Sequence, residues 1–277
     1  MKRIFLILLF IFCYSFQSSA NDPVFQQIII GAGGGGADYT SDASCMGAWY
    51  MNNNGGNETD RSGEGETLTQ MVGTIPTSAT VPSGYAGTSR DFELGDSEYL
   101  THADGGSTDI FGANQAITIT AWVLPESVTN GNYNVIVSKY DYGSNDRQYL
   151  LALYGTAVGE YKVQVRISSD GTNATSVDST VTDYAISAWH HVAMVYDDID
   201  IRIYVDGVLA CTPGAHTTGI SEEPSAFAVG TMFNSTATGQ YFDGLIDEVS
   251  IYNAALSSGD IAAIYATGIS GNKGGSD

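Results

Sequence analysis

Basic residues are scarce in this 277-residue chain: ten Lys and Arg stand against 31 Asp and Glu, a formal net charge of −21 at pH 7. Such an excess repels polyanions, so nucleic acid and anionic membrane surfaces are poor partners. Cysteine is nearly absent, with three residues in all. Cys13 lies in an apolar N-terminal region without a small-residue box before it, which argues against a lipid anchor. Nucleophilic catalysis has no visible basis: there is no Gly-x-Ser-x-Gly, and neither Cys45 nor Cys211 sits in an activating context. Long helical periodicity and internal repeats of fixed period are missing as well.

The N-terminus carries Lys2 and Arg3, an apolar run from Ile4 to Phe12, and Ser18-Ser19-Ala20. This is the pattern of a cleaved export signal over residues 1–20, and it predicts a secreted or cell-surface protein. The apolar run falls well short of the roughly 20 residues that span a bilayer. Cleavage after Ala20 removes two basic residues, leaves 257 residues and moves the net charge to −23. That length suits one large β sandwich, and no composition break favours two domains. In an oxidising compartment Cys45 and Cys211 are free to pair, although spacing alone does not bring them together.

The run Gly31-Ala32-Gly33-Gly34-Gly35-Gly36 lacks the Gly-Lys-Ser/Thr of a phosphate loop and reads as part of a flexible leader over 21–42. An ordered domain is expected over 43–268, followed by a frayed tail at 269–277. Between these ends the sequence alternates with period two. Tyr161, Val163, Val165 and Ile167 share one face, opposite Lys162, Gln164 and Arg166. Ile117–Leu124 is apolar or Thr throughout, as a strand buried on both sides should be. Ile201, Ile203 and Val205 lead into Asp206-Gly207, a two-residue hairpin turn. A short helix is expected over about Asp260–Ala266, capped by Ser257 or Ser258 and stopped by Gly268. The expected fold class is all-β: a two-sheet antiparallel sandwich of jelly-roll type with one short C-terminal helix.

Several stretches resemble the laminin-G-like jelly rolls of the concanavalin A-like superfamily. They are Ile117-Thr118-Ile119-Thr120-Ala121-Trp122-Val123, Trp189-His190-His191-Val192-Ala193-Met194-Val195-Tyr196-Asp197, and Phe242-Asp243-Gly244-Leu245-Ile246-Asp247-Glu248-Val249-Ser250-Ile251-Tyr252-Asn253. The hairpin at Asp206-Gly207 and the segment Phe92–Leu100 fit the same pattern. The resemblance is specific for fold and weak for function, because this sandwich hosts lectins, adhesion modules, sugar hydrolases and spacers alike.

Asp247 is the most informative residue. Counting along its strand puts it in phase with Leu245, Val249 and Ile251, where a lone carboxylate is costly unless satisfied. A bulge that turns it out, a cation or an Arg partner would each resolve this. The resemblance implies a structural calcium ion, with Asp247 as side-chain ligand and the backbone around Glu93 and Gly95 as its partners. Calcium suits such a site because it accepts six to eight oxygens in loose geometry. Leu94 stands where the family has Gly, a departure that bears on the backbone half of the site. The overall acidic excess reads either as solubility or as divalent-cation binding.

His190 and His191 are adjacent on a strand, so they face opposite sides and cannot serve one site. His191 reads as a hydrogen-bonded strand histidine. Glu93, Asp96 and Glu98 are the one cluster that a sugar hydrolase could use, but Gly95-Asp96-Ser97 reads as a turn and no catalytic residues are assigned. Tyr133, Tyr140, Tyr142, Tyr149 and Tyr154 read as either strand packing or sugar-facing rings. The expectation is a secreted, non-catalytic recognition or adhesion module for a glycan or glycoprotein ligand, braced by calcium. A structural domain of an extracellular assembly is the alternative, and a polysaccharide-degrading enzyme a third.

Overall fold

A computed structural model describes residues 36–109, 115–234 and 240–271. The expected export signal, most of the leader and the end of the tail lie outside the described residues. Among the described residues, no helix is long and apolar enough to cross a membrane.

The strands are, in chain order, β1 (Cys45–Trp49), β2 (Thr69–Met71), β3 (Thr77–Ser78), β4 (Ser89–Phe92), β5 (Tyr99–His102) and β6 (Ile117–Pro125). There follow β7 (Tyr133–Asp141), β8 (Asp146–Ala157), β9 (Glu160–Gly171), β10 (Ala174–Asp178), β11 (Tyr184–Ala185) and β12 (His190–Tyr196). The last group is β13 (Asp200–Val205), β14 (Val208–Leu209), β15 (Gly214–Ala215), β16 (Phe227–Val229) and β17 (Gly244–Tyr252), before helix α1 (Ser258–Thr267). They form two antiparallel sheets, the sandwich that the alternating pattern predicts.

The first sheet has the order β14-β13-β12-β6-β17-β4-β3, with β1 also on β17 and β15 on β13. The second runs β10-β9-β8-β7-β16-β5-β2, with β11 on β9. Inward rows meet in one core: Ile117, Ile119, Ala121 and Val123 of β6, Val192 and Met194 of β12, and Tyr161, Val163, Val165 and Ile167 of β9. The Asp206-Gly207 turn forms as expected, with φ of 51° and 77° joining Val205 to its cross-strand partner Val208. Positive φ at both central residues matches the right-handed twist of the hairpin.

β17 resolves the phase of Asp247. Its pairing with β6 shifts register between Asp247 and Ser250, and Glu248 adopts φ 46°. The extra residue reverses the alternation: Ile246 faces the core before the bulge, Val249 and Ile251 after it. Asp247 is thereby turned to the outer face of the first sheet. That face is not bare. α1 packs Ile261 against Ala193, Val195 and Tyr204, and Ile264 against Tyr252, Ala48 and Cys45. The helix starts earlier than expected, at Ser258, with Ser257 and Asp260 closing a reciprocal capping box. Gly268 ends it, as expected, at φ 79°.

Two expectations need correction. The ordered domain begins before position 43 and runs past 268. Gly36 N donates to Gly271 O and Tyr39 N to Ile269 O, because the buried Tyr39 and Ile269 complete the apolar cluster under α1. The Cys45–Cys211 disulfide does not form; both thiols are free and buried. Cys45 lies on β1, and Cys211 receives the Ile203 N–H of β13. Four strand spacings separate β1 from β13, roughly 19 Å, whereas a disulfide needs Cα atoms within about 7 Å.

Candidate functional site

The structure separates the residues that the resemblance assigned to calcium. Glu93 follows Phe92, whose cross-strand partner is Gly244, while Asp247 lies opposite Trp122. Glu93 and Asp247 are thus about four positions apart along β17, roughly 13 Å. Gly95 sits in a single 3-10 turn, Leu94–Asp96. Asp247 is 3% exposed and accepts the Glu248 N–H at 2.9 Å. Burial, followed by the neighbouring Glu248 carboxylate, holds its acid group well above the ordinary range. Burial therefore disfavours the charged form of Asp247, and the residues assigned as its partners do not lie beside it.

A different set of acids converges at the sandwich edge. Asp91 of β4, Glu93 just beyond it and Glu126 just after β6 have carboxylate oxygens within 4.8 Å of one another. Burial and then the Asp243 charge raise Asp91, while burial, then Asp91 and Asp243, raise Glu126. Asp91 Oδ1 is buried with no partner in the protein. Asp243 beside them is already engaged: Leu94 N donates to its Oδ1 at 3.1 Å, and the Ser127 hydroxyl donates to its Oδ2. Converging carboxylates with an orphaned buried oxygen fit a hard divalent cation, since opposite ligands around calcium stand about 4.8 Å apart.

The second feature is an aromatic cleft of about 370 Å³ on the outer face of the first sheet, lined by Ser83, Tyr85, Trp122, Trp189, Asp206, Tyr265 and Ala266. Each wall has a local cause. Tyr85 N closes a turn onto Pro82 O, with Gly84 at φ 82° supplying the positive angle a type II turn requires. Trp122 emerges from β6 with its Nε1–H donated to the Tyr85 hydroxyl at 3.0 Å. Its ring centroid lies 5.4 Å from Tyr85 and 5.5 Å from Tyr265 of α1. Asp206 of the hairpin turn accepts the His191 N–H at 2.9 Å and meets His190 Nδ1 at 2.8 Å.

His190 and His191 face opposite sides, as strand geometry demands. The reading of His191 as a hydrogen-bonded histidine is corrected: it is 1% exposed and neither ring nitrogen has a partner. Its ring packs 5.4 Å from Trp122 and 6.1 Å from Tyr265, and burial pushes its pKa down to about 4. Trp189 Nε1, too, is buried without a partner. The tyrosines singled out in sequence lie elsewhere. Tyr140 and Tyr149 are buried, Tyr142 lies under Arg147, and Tyr133 and Tyr154 lie under Arg166 and Lys162. Glu98 is buried and accepts the Glu93 N–H, so Glu93, Asp96 and Glu98 form a turn and not a row on one strand face. Tyr85 and Tyr265 are the cleft residues that sequence reading missed; the Pro-Ser-Gly-Tyr turn was the available signal for the first.

A family model described as the concanavalin A-like lectin/glucanases superfamily, of laminin-G type, matches residues 94–262. The chain belongs to this superfamily. No curated protein matches the sequence. Among solved structures, this concanavalin A-like chain is similar to domain 4 of an extracellular arabinanase from Geobacillus stearothermophilus, solved with arabinotriose. That match has 21% identity and a TM-score of 0.55, covering 79% of this chain and 97% of that domain. The binding domain of Paraclostridial Mosquitocidal Protein 1 matches at 14% identity and TM-score 0.61, over 82% of this chain and 52% of that one. A botulinum neurotoxin type C structure, described as depending on two ganglioside molecules for cell entry, matches at 14% and 0.55, over 80% and 51%. The chain thus spans about half of the toxin structures, and at these identities the likeness shows the fold alone.

Two buried titratable groups of opposite sign make the stability testable. His191 stays neutral in the fold, so the unfolded chain binds more protons below its ordinary value of about 6.5. Stability is therefore complete above that pH and falls by about 3 kcal/mol on acidification to pH 4. In urea unfolding, His191→Phe should remove this loss; an unchanged pH profile would refute the assignment. Asp247 acts in reverse. Its raised acid is favourable at low pH, and stability falls as pH rises above about 3.9, where the unfolded carboxyl ionises. Asp247→Asn should therefore raise the melting temperature at pH 8 and leave it little changed at pH 4.

Proposed function

We propose that this domain is a non-catalytic carbohydrate-binding module of a secreted or cell-surface protein, and that a sugar ring sits in the cleft of Tyr85, Trp122, Trp189 and Tyr265. The observation that carries this is the pairing of aromatic surface with an exposed carboxylate and an unpartnered indole N–H in one cavity. Tyr265 is 37% exposed, the Asp206 side chain is 36% exposed, and the Trp189 indole N–H has no partner. A sugar presents an apolar C–H face that lies against an aromatic ring, and hydroxyls at its rim. One rim hydroxyl can donate to the Asp206 carboxylate, a charge-assisted bond, and another can accept from Trp189. The volume falls within the range of small-ligand sites. The relatives solved with arabinotriose or described by dependence on gangliosides support a glycan as the kind of ligand.

Calcium enters the proposal at the edge and not in the cleft. Asp91, Glu93 and Glu126 would hold the ion, which would offset two of their three negative charges and tie the end of β4 to the end of β6. The chemistry it would supply is bracing. Nothing in the cleft depends on it.

Two experiments check these readings. On an array of neutral oligosaccharides the domain should give reproducible binding that Trp189→Ala weakens about tenfold or more, the scale of a lost aromatic stack with a hydrogen bond. Silence over a broad array from correctly folded protein would favour the structural role in an extracellular assembly. For the metal, EDTA should lower the melting temperature and added calcium restore it. Asp91→Asn should abolish that response and Asp247→Asn leave it intact. Identical melting curves with and without EDTA would refute a structural calcium ion.

A further inference from the structure

A second pocket, of about 270 Å³, opens at the end of the other sheet and is lined by Asp104, Asp109, Gln148, Glu222, Glu223 and Pro224. Beneath it lies Lys139 of β7, fully buried. Its ammonium meets Asp104 Oδ1 at 2.5 Å and Asp109 Oδ1 at 2.7 Å, and donates to Ser225 O at 2.6 Å. The ammonium is held by two carboxylates and a backbone carbonyl. One cation thus faces four carboxylates, and the lining is left about three charges negative.

Gln148 supplies an observation independent of the acids. It is 1% exposed, and its Nε2 donates to Glu223 O at 2.5 Å. That bond to a carbonyl fixes which end of the amide is nitrogen, so the other end is an acceptor. Its Oε1 is buried with no partner in the protein. A buried amide oxygen without a donor is costly, and this one belongs to a residue that lines the pocket. The walls therefore offer acceptors and negative charge.

The missing group must donate hydrogen bonds and carry positive charge. A bare metal ion fits poorly. Among the described residues, the one group of three ligating side chains converging within 4.8 Å is Asp91, Glu93 and Glu126, at another place. Acids spread around a cavity of this size suit a larger cation whose N–H groups point in several directions. We propose that this pocket binds the primary ammonium of a small polar ligand of amino-sugar size, held by Glu222, Glu223 and the Gln148 amide oxygen. The site is separate from the aromatic cleft and does not depend on the function proposed for it.

The test is a pair of titrations followed by nitrogen–proton NMR, at a pH where the amine is charged. The probes are D-glucosamine and N-acetyl-D-glucosamine, which share a ring and differ in the ammonium. Glucosamine should give saturable shifts in the Gln148 side-chain amide and the 222–225 backbone, and the N-acetyl sugar should not. Glu223→Gln and, separately, the exposed Glu222→Gln should each weaken glucosamine binding about tenfold, the scale of a lost charged hydrogen bond. Trp189→Ala should leave it unchanged. Equal responses to the two sugars, no saturable shift at these residues, or the same shifts produced by calcium alone would each overturn the proposal.

Discussion

Strand β17 is buried along its whole length and on both faces, from Gly244 to Tyr252, and much of the domain follows from that constraint. An antiparallel sheet ordinarily leaves one face to water. Here the inner row of Ile246, Val249 and Ile251 enters the core, while the outer row holds Asp247, Ser250 and Tyr252. A covering element is therefore obligatory, and the chain supplies α1 directly after the strand. The bulge at Glu248 ties the two together: its carboxylate accepts the Ile269 N–H at 2.9 Å. Gly268 is favoured at that crossing by its φ of 79°, and a Cβ there would also stand 2.7 Å from Glu248 Oε2.

The cleft is the consequence of a cover that is too short. A ten-residue helix spans about 15 Å; it seals Ala193, Val195, Tyr204 and Tyr252, and only its last turn, through Tyr265, reaches the end of the sheet where the buried Trp122 and His191 lie. There Tyr265 and the Tyr85 turn close over the sheet only in part. The Tyr85 hydroxyl donates to Tyr265 O at 3.2 Å, so the two walls are joined at their base. A wall held in place before the ligand arrives lowers the ordering cost of binding. His191 sits behind it as a buried neutral base whose retention costs stability in acid, a sign that this end of the sheet is shaped by more than packing.

The alternating pattern made the sandwich legible, because period-two runs such as Ile117–Leu124 and Tyr161–Ile167 admit few other folds. The anomaly at Asp247 was visible too, and a bulge was among its readings. What sequence could not give was the phase beyond the bulge, since one inserted residue inverts every later inference about facing. The acidic edge was hidden for a different reason: Asp91, Glu93 and Glu126 come from the ends of two strands, and only the pairing of β4 and β6 around β17 brings them together. The same holds for Tyr85 and Tyr265, 180 positions apart. Cys45 and Cys211 illustrate the converse, where a compartment argument allows a bond that the strand order forbids.

The few basic residues narrow the chemistry of any ligand further. Arg90 and Lys139 are fully buried: Arg90 pairs with Glu58 at 2.6 Å, and Lys139 with Asp104 and Asp109. Arg202 holds Asp197 and Asp200, and Lys162 holds Asp178. Arg61, Arg147 and Arg166 lie over tyrosine rings. Each Lys and Arg side chain among the described residues therefore has a contact inside the domain, four of the seven of them with a carboxylate. An acidic glycan would enter a field set by a net charge of −21. The same arithmetic favours a neutral sugar over an acidic one in the aromatic cleft, and cations at the acidic sites, where the ligand would supply the charge the chain lacks.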